Sequence, residues 1–169
     1  MNRRSFLQYG TAAGFFTGNL ARSWGAELKP GGTVDTSSGK IRGLMIDRVN
    51  AFKGIPYGAS TAGERRFLPP LKPEPWTGIK ETVEWGPEAP QVSPHGEIPE
   101  VRATIPATGM SEDCLRLNIW SRELGAGRRL PVMVWLHGGG FTSGNGSYTM
   151  YDGANLARKR DVVSVTLNH

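Results

Sequence analysis

The sequence predicts an α/β fold built on short strands, and three observations carry that reading. Near the C-terminal end of the chain, two apolar strand candidates are separated by a glycine-rich loop and a short helix candidate, in the order strand, loop, helix, strand. Ahead of them lie short segments broken by Gly and Ser, the pattern of a small β meander. Twenty-three glycines and twelve prolines among 169 residues leave few stretches in which a helix could propagate, so an all-helical bundle is disfavoured. With 38% hydrophobic and 21% charged residues, the composition is that of one globular domain.

The first 26 residues read as an address rather than as part of that domain, which is taken as residues 27–169. Arg3 and Arg4 precede a weakly apolar run from Phe6 to Ala21 interrupted by Gly10, Gly14 and Gly18, the grammar of an export signal. The run is shorter than the roughly 20 residues a spanning helix needs, so no permanent membrane anchor is expected. Arg-Arg-Ser-Phe-Leu resembles the twin-arginine signal, with Asn2 and Gln8 departing from its usual flanks. The expected location is therefore periplasmic or secreted, with the export machinery as a partner.

Strands are expected over Thr33–Thr36, Lys40–Ile46 and Val49–Lys53. Nine prolines between Pro69 and Pro106 abolish any periodicity there, which predicts a long ordered loop held to the core by Phe67, Trp76 and Trp85. Leu115, Leu117 and Ile119 then alternate with Arg116, Asn118 and Trp120, predicting a strand whose Leu/Ile face is buried and whose Arg116 faces away. Pro131 introduces Val132-Met133-Val134-Trp135-Leu136, a continuous apolar run expected to be buried on both faces inside a sheet. Asp152 is placed to cap a short helix from Gly153 to Arg160, whose basic end suits the helix dipole. Val162–Leu167 is the next strand, and a crossover of this kind predicts parallel pairing with a right-handed connection.

Charge and cysteine content narrow the function classes. The net charge of +5 owes three arginines to the first 26 residues; beyond Ala26, seventeen basic residues face fifteen acidic ones. That balance, with Arg65-Arg66, Arg128-Arg129 and Arg158-Lys159-Arg160 in separate segments, does not make a nucleic-acid surface. One cysteine, Cys114, and three scattered histidines give no metal-ligand spacing, and no cofactor is implied.

The chemistry concentrates at His137-Gly138-Gly139-Gly140-Phe141, directly after the apolar strand. A loop at the carboxyl end of a strand in an open α/β sheet is where ligands bind. Consecutive glycines remove Cβ atoms and allow successive N–H groups to face one anion, either a phosphate or a developing oxyanion. A phosphate loop would need lysine after the interval Gly139 to Gly144, but Asn145 stands there. A dinucleotide fingerprint from Gly138 fails because Ser143 replaces its third glycine. His-Gly-Gly-Gly after a buried strand instead matches the oxyanion loop of lipases and esterases.

Much of the chain after residue 38 resembles the carboxylesterase type B family of α/β-hydrolases, the group that includes the cholinesterases. The resemblance rests on Phe52-Lys53-Gly54-Ile55-Pro56-Tyr57, Arg66-Phe67 with Pro69-Pro70, Trp76-Thr77-Gly78, Gly86-Pro87, Glu112-Asp113-Cys114-Leu115 and His137-Gly138-Gly139-Gly140-Phe141, in that order. It implies the N-terminal portion of an α/β-hydrolase fold, a small meander followed by the first strands of a central mixed sheet. It also implies hydrolysis of small-molecule carboxylic esters by a serine, a histidine and an acid, with the Gly139 and Gly140 N–H groups stabilising the oxyanion. In many members the cysteine matching Cys114 pairs with one in a Gly-Pro-x-Cys block; Ala89 at that place leaves Cys114 single, expected as a buried inert thiol.

The nucleophile elbow Gly-x-Ser-x-Gly does not occur in these 169 residues, and the nearest approach, Gly58 to Gly63, misses by one position. Ser143 and Ser147 flank the glycine loop without an elbow or a base. His95, His137 and His169 do not resemble the family's catalytic histidine. The chain alone is therefore expected to be inactive, as part of an exported esterase or as a non-catalytic relative such as an adhesion protein. The strand Val132–Leu136 is expected to present an open apolar edge and to make the chain poorly soluble.

Overall fold

Three antiparallel strands, β1 (Lys29–Thr36), β2 (Gly39–Ile46) and β3 (Val49–Pro56), open the described chain. The computed structural model describes residues 29–92, 108–125 and 127–169; the export-signal reading of residues 1–26 falls outside them. Asp47 and Arg48 join β2 to β3 with φ of 47° and 64°, the left-handed pair that a tight two-residue hairpin requires. The short strand β4 (Ile79–Glu81) adds in parallel to β2, and Arg42 on β2 pairs there with Glu81.

The sheet continues through β5 (Arg116–Ser121), β6 (Val132–Leu136) and β7 (Val163–Leu167), with α1 (Ala154–Arg160) between β6 and β7. Its order is β1-β2-β3-β5-β7-β6, mixed in sense: β5 runs antiparallel to both its neighbours β3 and β7, while β6 and β7 run parallel as the strand–loop–helix–strand pattern requires. Helix α1 begins one residue later than expected. Gly153 is its N-cap, and Asp152 serves from outside by accepting the Ala154 N–H at 2.8 Å. Arg158, Lys159 and Arg160 occupy its last turn, where the helix dipole favours cations.

Two apolar clusters cover opposite faces. On the helix side Trp120, which is 0% exposed, packs with Val49, Ala51 and Ala157, and Trp85 lies against it at 5.9 Å between ring centroids. A Cβ on Gly153 would meet Ser164 and the Trp120 ring within 3 Å, so the helix start is pressed directly onto β5 and β7. Removing the Trp120 indole would cost about 3–5 kcal/mol by cavity formation. On the other face Ile41, Phe52 and Ile55 pack with Val34, Trp76, Leu117 and Ile119, and all of these but Trp76 line a cavity of about 550 Å³.

This corrects the facing expected for β5. Asn118 and Trp120 form its fully buried side, whereas Leu117 and Ile119 are only half-buried and line the cavity. Asn118 tolerates burial because every arm is used: Oδ1 accepts the Gly54 N–H at 2.9 Å, and Nδ2 donates to Thr166 Oγ1 at 2.9 Å and Gly146 O at 3.4 Å. Gly54 sits in the bulge where the β3/β5 register shifts between Phe52 and Ile55, so Asn118 ties that bulge to β7.

Two further expectations are overturned. Strand β6 is exposed along its whole length, from 44% at Met133 to 62% at Leu136, because helix α1 packs mainly over β3, β5 and β7; in the sheet plane β7 pairs with one side of β6 and no described strand pairs with the other. Its apolar edge is therefore open, as expected for a strand without a second neighbour. Phe67 does not anchor the proline-rich stretch; it is 98% exposed. The anchoring falls to Trp85 and to Trp76, whose Nε1 donates to Lys40 O at 2.8 Å. The neighbouring Arg66 grips Glu112 through two hydrogen bonds of 2.5 and 2.7 Å, joining two of the sequence blocks singled out above. Cys114 is buried and without a disulfide partner, and burial pushes its thiol pKa up.

Candidate active site

The glycine loop leaves β6 at Leu136 and turns at once. Gly139, Gly140 and Phe141 all have positive φ, at 127°, 60° and 61°. The first of these requires glycine on two counts: its dihedral is unfavourable for a side chain, and a Cβ there would stand 1.9 Å from Ser143 O. The loop closes on itself through Gly139 O, which accepts from the Thr142 N–H at 3.0 Å and from Thr142 Oγ1 at 2.8 Å. Among the described residues nothing accepts a hydrogen bond from the Gly139 or Gly140 N–H, and both residues are exposed. Successive amides in a left-handed turn are the usual material of an anion-binding concavity.

The segment that follows is buried and fixed by side-chain amides. Gly144 packs so tightly that a Cβ would lie 2.2 Å from His137 Nδ1 and 2.3 Å from Gly138 O. Gln91, from the proline-rich stretch, accepts the Gly144 N–H at 2.7 Å and donates to Gly144 O at 3.0 Å. Asn145 donates to Glu88 Oε2 at 3.1 Å and accepts the Ser147 N–H at 2.7 Å. Asn168, just beyond β7, accepts the Gly146 N–H at 2.8 Å and donates to Pro87 O at 2.9 Å. Its backbone is engaged too, with Asn168 O accepting the Tyr57 hydroxyl at 2.5 Å and its N–H donating to Arg116 O.

At the head of the loop the His137 ring stacks on His169 at 4.4 Å, and Phe141 meets the same His169 edge-on at 5.9 Å while remaining 96% exposed. His137 Nδ1 lies 2.9 Å from Gly138 O, within hydrogen-bonding distance of that carbonyl. A cavity of about 140 Å³ lies beside the loop among Gln91, His137, Phe141, Ser143, Gly144 and His169. The larger cavity on the Leu117/Ile119 face touches none of the glycine-loop residues.

Of the residues singled out by sequence, Gly139 and Gly140 lie together at the mouth of this loop. Ser147 is sealed at 1% exposure, and Ser143 turns its carbonyl onto Gly139. Among the described residues no serine hydroxyl is hydrogen-bonded to a histidine, and His95 lies outside them. Asn145, at the position a phosphate loop gives to lysine, is engaged with a carboxylate, a poor neighbour for phosphate. Sequence reasoning missed Glu88, Gln91, Asn145 and Asn168 as supports, since none lies in a periodic element. Among the described residues the loop thus leaves the Gly139 and Gly140 N–H groups without an acceptor, and none of its serines is hydrogen-bonded to a histidine.

Comparison with known proteins agrees with the sequence motifs. A family model described as "Carboxylesterase family" matches residues 30–169. A para-nitrobenzyl esterase of Bacillus subtilis (strain 168) is 38% identical over 141 residues, covering 80% of this chain and 27% of that protein. A fumonisin B1 esterase of Sphingopyxis macrogoltabida is 42% identical over 135 residues, covering 79% of this chain and 23% of the relative. A solved Geobacillus stearothermophilus carboxylesterase superposes with a TM-score of 0.69 at 42% identity, over 81% of this chain and 26% of that one. The chain thus spans about a quarter of the length of the relatives it matches.

Proposed function

The chain belongs to the carboxylesterase family, and from that premise we propose that it is the oxyanion-binding part of a serine esterase acting on small carboxylic esters. The observation that carries the reading is the pair Gly139 and Gly140, exposed at the carboxyl end of β6 with N–H groups that no described residue accepts. When a serine attacks an ester carbonyl, the oxygen gains a full negative charge. Fixed amide dipoles aimed at it need no reorganisation, and each is worth about 3 kcal/mol of barrier lowering. A third donor belongs by family pattern to the residue after the nucleophile.

The nucleophile, base and acid come from polypeptide other than these 169 residues, which contain no Gly-x-Ser-x-Gly. This division supports an inactive isolated chain within an active longer enzyme. The same reading includes export: Arg3 and Arg4 ahead of Phe6–Ala21 support delivery across a membrane by the twin-arginine route.

Fluorophosphonate labelling tests the proposal. A serine in the longer polypeptide should be modified stoichiometrically with loss of p-nitrophenyl ester hydrolysis, while no serine of the 169-residue chain reacts. Labelling of the short chain would refute the division of roles, and a longer polypeptide that neither labels nor hydrolyses would mark a non-catalytic member of the family.

A further inference from the structure

Resting on the proposed oxyanion role of Gly139 and Gly140, we infer that Gln91 is a positioning residue for that loop and sets its catalytic strength without touching substrate. Its side-chain amide brackets one residue, Gly144, accepting from the N–H at 2.7 Å and donating to the C=O at 3.0 Å. The Gly144 N–H shares a rigid peptide plane with Ser143 O. Holding the N–H therefore fixes where that oxygen points, and it points onto Gly139, where a Cβ would come within 1.9 Å of it. The Gly144 Cα in turn abuts His137 and Gly138 O, the two residues that lead into the loop. Gln91 thus controls the surface against which the Gly138–Gly139 segment rests.

The amide is the group this task needs, because it must donate and accept at once. Nε2 also donates to Ala89 O at 3.1 Å, so the nitrogen faces two carbonyl oxygens and the oxygen faces one N–H. A carboxylate at this place would keep the acceptor and lose the donor, setting a negative charge against two carbonyls. A protonated carboxyl would restore one donor. The support also reaches the loop from outside the central sheet, since Gln91 belongs to the long proline-rich connection between β4 and β5.

The test uses the catalytically complete esterase that carries this chain, with Gln91→Ala, Gln91→Glu and Gly139→Ala compared on a p-nitrophenyl ester. Gln91→Ala is expected to lower kcat about tenfold with KM within about twofold, part of the 10²–10³ that a lost oxyanion donor costs. It should weaken a trifluoromethyl ketone inhibitor by the same factor as kcat/KM. The distinguishing readout is the pH profile of Gln91→Glu. Its kcat relative to the unsubstituted enzyme, a ratio that cancels the triad's own titration, should rise as pH falls and the carboxyl gains its proton. A flat ratio with full kcat in both Gln91 variants, while Gly139→Ala is impaired, overturns the Gln91 assignment alone. If Gly139→Ala also keeps full kcat, the oxyanion reading fails with it. Should Gln91→Ala not fold, the Gln91→Glu ratio decides.

Discussion

Replacing Gly139 by alanine puts one methyl group where the structure has least room. The new Cβ would lie 1.9 Å from Ser143 O and 2.6 Å from Ser143 C, against backbone rather than a flexible side chain. Reaching an ordinary contact distance requires a displacement of about 1.5 Å, and misplacements near 1 Å at a reacting centre cost on the order of 10²-fold in rate. The φ of 127° adds backbone strain of roughly 1–3 kcal/mol for a residue with a side chain. Gly140→Ala is the internal control. Its φ is 60°, a Cβ there meets nothing within 4 Å, and only the left-handed penalty of about 1–2 kcal/mol applies. In the complete esterase, steady-state hydrolysis of a p-nitrophenyl ester should show kcat reduced by about 10²–10³ for Gly139→Ala and by less than about tenfold for Gly140→Ala, with KM little changed in both. Circular dichroism would establish that both variants are folded. A folded Gly139→Ala enzyme with kcat within threefold of the parent would refute the assignment of the oxyanion site to this loop.

Three other outcomes follow from the fold. Asn118→Leu leaves the Gly54 N–H and the Thr166 hydroxyl without their partner, so urea unfolding should show a loss of about 2–4 kcal/mol; a loss below 1 kcal/mol would mean Asn118 is not the tie between β3 and β7. The Arg66 guanidinium, by hydrogen bond and charge, holds Glu112 below the usual carboxylate range. A depressed folded-state pKa stabilises at pH above the unfolded value and loses that contribution as pH falls through the folded one. The melting-temperature gap between the parent and Arg66→Ala should therefore be open at pH 7 and close below about pH 4; a gap independent of pH would contradict the pairing. The chain alone should self-associate with concentration in sedimentation velocity, and Val134→Lys, at the centre of exposed β6, should shift it toward monomer. A monodisperse parent chain would show that the β6 edge is not adhesive.

Local chemistry made some features legible in the sequence and long-range partnership hid others. The strands around the Asp47-Arg48 hairpin and the β6–loop–α1–β7 unit were readable because turn residues and apolar runs bound them within a few positions. The facing of β5 was not. Leu117 and Ile119 alternate as a core face should, yet Asn118 is the buried residue because Gly54, Thr166 and Gly146, up to 64 positions away, supply its partners. Burial of β6 was misread for a related reason. A run of five apolar residues states what the strand would prefer to bury, while the elements that pack over its faces decide what is buried. At the candidate site the glycines were visible as a pattern, but Gln91 and Asn168 act through single amide groups in segments with no periodicity.

The most direct measurement is a crystal structure of the complete esterase with a boronic acid or trifluoromethyl ketone bound to its nucleophilic serine. The adduct oxygen should lie about 2.7–3.1 Å from both Gly139 N and Gly140 N, the distance at which amides stabilise an oxyanion. An adduct oxygen held by other donors, with those two nitrogens turned away from it, would contradict the account.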